Sequence, residues 1–242
     1  MGVKVAGAAR RGFMADQAWF TRFTIALALF ILLGFAQFSL RGFVDVRRAP
    51  LITHLHGVLM VAWLGLAVAQ NLLVHKGQLG LHRKLGWAAA ALVAAIAVIG
   101  IAVGFSALAG HRGPPFFSHA YFLALTTVEP LVFAAVVAWA VSLRRKTEWH
   151  RRLMLGALVV LLEPALGRVL PMPLMNGWGE WAILVLQIAA LLLLARHDRT
   201  MLGKVHPATH SLVAIVVANH LVIRLLASLP PFIAYADSIA RG

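Results

Sequence analysis

Apolar residues follow one another along this chain in blocks too long for the core of a soluble domain. Seven blocks, separated by basic or turn-forming stretches, predict helices at about 23–41, 51–74, 85–109, 117–142, 152–170, 179–195 and 208–228. A hydrocarbon core about 30 Å thick needs about 20 such residues per crossing. Pro114-Pro115, Pro171-Met172-Pro173 and Pro230-Pro231 mark the ends of the third, fifth and seventh blocks. The expected fold is all-α: a seven-transmembrane-helix bundle, with one leading helix followed by three hairpins. Residues 1–242 then form a single integral membrane domain.

Composition agrees. With 61% hydrophobic and only 12% charged residues, the chain is too apolar for an ordinary soluble domain. The absence of cysteine excludes disulfides, thiolate metal sites and Cys-ligated iron–sulfur clusters. A net charge of +14 would point to nucleic acid if it formed one patch. Here Lys and Arg sit in the gaps between apolar blocks, so membrane topology and the headgroups of a lipid bilayer explain them better. Fifteen of the 22 basic residues fall on the N-terminal segment and on the second, fourth and sixth connections. The opposite side has Arg41, Arg47, Arg48, Arg112, Arg168 and Arg241, with Arg224 inside the seventh block. The positive-inside rule then places the N-terminus in the cytoplasm and the C-terminus outside, in a bacterial inner (plasma) membrane. Residues 1–22 form a basic cytoplasmic segment. The block after them is long enough to span and has no cleavage site, so no cleaved signal is expected. The Met-Gly start lacks Ser or Thr at position 6, so myristoylation is not expected.

Polar residues inside the apolar blocks carry the functional question. Glu129-Pro130 and Glu163-Pro164 each lie deep in a block, where an acidic side chain is costly and needs a partner or a purpose. At a rise of about 1.5 Å per residue, both carboxylates lie roughly 17–20 Å from the cytoplasmic end of their helices. His220 and Gln37 come to about the same level, His56 and Arg224 to roughly 25–28 Å, and His54 and His119 to the outer rim. Facing lipid would leave these groups unsolvated, so they are expected to point inward and meet in the outer half of the bilayer.

Three readings of this layer stay open. In the first it is structural, with Glu129 or Glu163 paired to Arg168 or Arg224. In the second it holds a cofactor. Eleven histidines are many for a membrane chain of this length, and imidazole is a common ligand for iron, copper and zinc. His56 and His220 would serve as axial ligands of haem b, with Arg168 and Arg224 on its propionates. Alternatively, His56, His220, Glu129 and Glu163 would hold a non-haem transition metal. Either centre would exchange electrons with quinone or another membrane redox partner. The third reading is a proton path through the two carboxylates, as in a proton-coupled transporter. A zinc-dependent membrane hydrolase and an accessory subunit of a larger complex are further alternatives. His206 and His210, four apart at the basic end, form a weaker ligand motif.

The chain also carries a short internal repeat. His82-Arg83-Lys84-Leu85-Gly86 opens the third block, and His150-Arg151-Arg152-Leu153-Met154 opens the fifth. Together with Thr53-His54-Leu55-His56-Gly57, Gln70 and Gly167-Arg168, these residues resemble an uncharacterised bacterial multi-pass family with HRxLG motifs. They are distantly similar to cytochrome b561-type proteins. That resemblance implies an electron-transfer or membrane oxidoreductase role and adds His82 as a candidate haem ligand. The chain departs from the b561 pattern in having seven expected spans rather than six and in its intramembrane Glu residues.

Overall fold

The computed structural model describes residues 2–175 and 177–242, with side chains from Asp16 onward. It is all-helical, with no strand among the described residues. Among the described residues nine α-helices follow in order: α1 (Gly2–Leu40), α2 (Leu51–His75), α3 (Leu79–Ala109), α4 (His119–Ser142), α5 (Thr147–Val160), α6 (Leu162–Val169), α7 (Gly179–Leu202), α8 (Pro207–Ser228) and α9 (Pro230–Arg241). Six of them, α1 (from Asp16), α2, α3, α4, α7 and α8, are long and apolar enough to cross a membrane. Their outer faces expose large apolar side chains such as Leu33, Val98, Leu131, Val185 and Leu225. A water-soluble bundle would bury these, whereas a bilayer solvates them. The architecture is therefore that of a multi-pass helical membrane protein.

The helices close into a ring. α1 packs on α2, α2 on α3, α3 on α4, α4 on α8, α8 on α7, α7 on α6, and α6 on α1. α5 fills the centre, against α1, α4, α7 and α8. Every residue from Leu155 to Glu163 is buried, so this helix meets protein on all sides. Close packing sets its position: a Cβ at Gly156 would lie 2.1 Å from a methyl of Leu212 on α8, so only glycine lets the two helices approach this far. Beyond Leu161 the chain leaves the centre as α6 and completes the wall between α1 and α7.

One expectation about the helices needs correction. The block expected as one helix over 152–170 is two, broken at Leu161. Proline explains part of the break. Pro164 has no N–H to donate to the carbonyl of Val160. The Gln187 amide of α7 donates instead to the Val159 and Val160 carbonyls, at 3.0 and 3.2 Å. Pro130, by contrast, lies inside an uninterrupted α4. Pro230-Pro231 follows the end of α8 at Ser228, as expected, and also begins a further helix, α9, since proline is well tolerated in the first turn, where no N–H is needed. α9 lies across α3, α4 and α8.

Candidate functional site

The candidate residues of the outer layer come together in part. Glu129 on α4 and Glu163 on α6 are both buried, and each lies beside a Pro that frees a backbone carbonyl. Glu129 is within Coulombic reach of Glu163 and Arg168, and Arg168 is likewise near His56. The His56 ring reaches this group because α3 carries Gly100 opposite it. A Cβ there would meet His56 Cε1 at 3.1 Å and Pro130 Cγ at 3.6 Å. Gln37 of α1 donates to the Arg168 carbonyl at 2.8 Å, tying the end of α6 to α1. Thus Gln37, His56, Glu129, Glu163 and Arg168 come from α1, α2, α4 and α6 into one neighbourhood.

His220 and Arg224 belong to a neighbouring group on α7 and α8. Arg224 Nη1 donates to Glu180 Oε2 at 2.6 Å and stacks over Trp181, 5.0 Å from the ring centre. The Trp181 and His220 rings lie 4.6 Å apart. The expected pairing of Arg224 with Glu129 or Glu163 is therefore replaced by a pairing with Glu180. Glu180 lies in the first turn of α7, next to the Trp181 ring over which Arg224 sits. Among the described residues Arg168 forms no ion pair with Glu129 or Glu163: its Nη1 donates to the Pro164 carbonyl at 2.7 Å, and its guanidinium sits 4.0 Å over Phe35. Tyr121 of α4, which the sequence pattern does not single out, is buried within Coulombic reach of Glu129, Glu163, Glu180 and Arg224.

The acidic residues separate into two kinds. Of the eight in the sequence, Asp16, Asp45, Glu148, Glu180, Asp198 and Asp237 each have an ion-pair partner. Among the described residues, Glu129 and Glu163 form none. Glu129 Oε1 is buried with no hydrogen-bond partner, as are His56 Nδ1, Asn219 Oδ1 and His220 Nε2. The rim residues are less enclosed. His54 is exposed and lines a shallow apolar groove with Val44, Val46 and Val58. His119 Nδ1 lies 2.9 Å from Asp237 Oδ1, which fastens α9 to the start of α4.

A second polar group occupies the basic end. The two repeat histidines, far apart in sequence, are neighbours: the His82 and His150 ring centres are 6.4 Å apart. His150 donates from Nδ1 to the Ala140 carbonyl at 2.8 Å, which leaves Nε2 with its lone pair. The carbonyl of Gln70 lies in hydrogen-bonding reach of the His82 ring, while His82 Nδ1 and both amide atoms of Gln70 are buried without partners. His150, with one nitrogen held by a carbonyl and the other left free, is oriented as metal-ligating imidazoles commonly are. The pair therefore fits two ligands of a metal or haem iron. No group of three or more His, Asp or Glu side chains converges as a metal-binding set among the described residues.

Arg152, Asp198 and Asp16 fasten the helices together at this end. Arg152, fully buried, donates from Nε and Nη2 to Asp198 Oδ1 at 2.8 and 2.6 Å, and its Nη1 bonds Glu148. Asp198 Oδ2 accepts from the His206 N–H at 3.0 Å and from Thr209 Oγ1 at 2.6 Å. Asp16 pairs with Arg151 at 2.5 Å and with His197. The His206–His210 motif serves a cap rather than a shared site: His206 Nδ1 accepts from the Ala208 N–H at the start of α8, at 3.1 Å, and His210 is exposed. Burial, and after it the Arg152 guanidinium, holds the His206 imidazole below its usual range.

Compared with known proteins, this chain matches no family model, no curated sequence and no solved structure.

Proposed function

We propose that this is a seven-span protein of the bacterial inner membrane, in which Glu129 and Glu163 form a proton-handling pair for proton-coupled transport. The observation that carries the reading is the division among the carboxylates. Five of eight have an Arg counter-charge and Asp237 pairs with His119, whereas Glu129 on α4 and Glu163 on α6 are both buried, have no such partner among the described residues, and lie within Coulombic reach of one another. A carboxyl group buried in a membrane without a cation is stable as the neutral acid, and two near one another share protons more readily than they share charge. The break at Leu161 beside Glu163 supplies irregular backbone at membrane depth, which occurs where protein or a polar cavity satisfies it. In this reading α5 and α6, with 14 and 8 residues, act together as the seventh span and rise about 33 Å. The excess of basic residues sets their starting end in the cytoplasm.

The test is proton uptake by reconstituted vesicles under an imposed pH gradient, followed with a pH-sensitive dye. Glu129→Gln and Glu163→Gln should each abolish the uptake while the protein stays folded. Uptake unchanged in both variants would overturn the proposal.

The His82–His150 pair supports a second reading, a haem- or metal-dependent redox protein that exchanges electrons with quinone. Bound iron would supply the one-electron step, while this chain would supply the two imidazoles and the carbonyls that orient them. Purified protein should then be coloured or carry about one metal per chain, and His82→Ala or His150→Ala should remove it. A colourless preparation without metal would end this reading and leave the first intact.

A further inference from the structure

α6 fills the wall between α1 and α7 in one half of the bundle only. In the other half, toward the basic end, the two helices stay apart and leave a groove of about 500 Å³, lined by Trp19, Arg22, Phe23, Leu193, Arg196 and Thr200. Its chemistry is graded along its length. Arg22 and Arg196 stand at the rim, one from each wall, and both are exposed. Neither guanidinium has a hydrogen-bond or ion-pair partner among the described residues. One turn deeper on each helix the lining becomes apolar, with Ala26 below Arg22 and Leu193 below Arg196. Exposed Leu29, Leu33 and Leu192 continue that surface toward the bilayer interior. The floor is rigid: Trp19 and His197 stack face to face, with ring centres 3.8 Å apart and planes within 3°, and Asp16 holds His197 from behind.

We infer that this groove is a binding site for an anionic phospholipid, with its phosphate between Arg22 and Arg196 and an acyl chain along Ala26 and Leu193. Guanidinium groups favour phosphate through bidentate, charge-assisted hydrogen bonds, and Trp19 sits at the level where indoles meet headgroups. The apolar lining accepts a tail and has no use for a soluble phosphate. Asp16 does not cancel the charge at the rim, because it is engaged by Arg151 and His197.

The test compares phosphatidylglycerol with phosphatidylcholine of the same acyl chains, binding to the full protein in neutral detergent, counted by native mass spectrometry. A basic residue at a lipid surface contributes about fivefold, so two give a preference of roughly 25-fold for phosphatidylglycerol at low ionic strength. Arg22→Gln with Arg196→Gln should bring the two lipids level. Both side chains are exposed and unpaired, so folding should not change. Arg83→Gln with Lys84→Gln, exposed residues of the same basic end, should keep the preference. The inference fails if the unaltered protein does not distinguish the lipids. It also fails if the Arg22/Arg196 variant still distinguishes them, or if the Arg83/Lys84 variant loses the preference equally.

Discussion

Replacing Asp198 by asparagine should unsettle the basic end of the bundle more than any other conservative change there. The side chain takes four hydrogen bonds: two from Arg152, at 2.8 and 2.6 Å, and one each from the His206 N–H and Thr209 Oγ1. Asparagine keeps the shape but loses the charge, and one of its two acceptor positions becomes a donor facing donors. Arg152 is fully buried and cannot turn to water, so Glu148 alone would balance it. Breaking a buried ion pair on one side costs about 3–5 kcal/mol. For a chain of this size each kcal/mol moves the midpoint by about 2–4 °C, so Tm should fall by about 6–20 °C. Thermal unfolding of detergent-solubilised protein, followed by tryptophan fluorescence, measures the change. Adding Arg152→Met to Asp198→Asn should return most of the loss, because it removes the stranded charge and fills the site with apolar volume. A fall of less than about 2 °C, or a double variant no better than the single, would refute this account of the network.

Other changes separate the structural contacts from the proposed site. Glu129→Gln should leave Tm unchanged or raise it, because the amide removes an ionisable group that has no ion-pair partner; a fall of several degrees would mean the carboxylate is a structural anchor. Gln187→Leu should cost about 1–3 kcal/mol by uncovering the Val159 and Val160 carbonyls at the break, read in the same melt. Glu180→Gln should cost less than about 1 kcal/mol, since its partner Arg224 is 41% exposed. The His206 imidazole is held below its usual range in the folded protein, so the unfolded chain binds more protons as pH falls through the usual histidine range. Stability from this group is therefore present above that range and is lost on acidification. His206→Asn keeps a good N-cap without the titration, so the fall in Tm between pH 7.5 and 5.5 (about one pH unit either side of the unperturbed value) should be smaller in the variant.

The long helices were legible because run length and flanking charge report bilayer thickness directly. The layer holding Glu129, Glu163, His56 and Gln37 was legible for the same reason, since depth along a helix follows from residue count. The break at Leu161 was not, because Leu155 to Leu162 reads as one apolar run and only Pro164 hints at a change. α9 was not legible either, because Pro230-Pro231 marks the end of α8 and carries no separate sign that it also opens a first turn. The role of Arg152 was hidden by distance: its partner Asp198 lies 46 residues on, and a lone Arg among basic neighbours looks like an interfacial charge. Asp198 itself was a usable signal, being one of only eight acidic residues and set in an otherwise basic stretch. The choice of Glu180 by Arg224 depended on how α7 and α8 pack, which residue spacing does not encode.

The central position of α5 bears on how the chain enters a membrane. This helix carries Arg152 and Glu148 near one end, and α6 carries Glu163 just beyond its other end, so the segment is a poor candidate to leave the insertion machinery alone. α1 to α4 precede it and can already form the wall on which it rests, with α7 and α8 closing the other side after synthesis. Biogenesis is thus tied to chain order: the least lipid-compatible segment emerges midway, when half of its protein surroundings exist. A chain truncated after α6 would hold that segment with one flank open, and the cell's membrane quality control should degrade it faster than a chain truncated after α4.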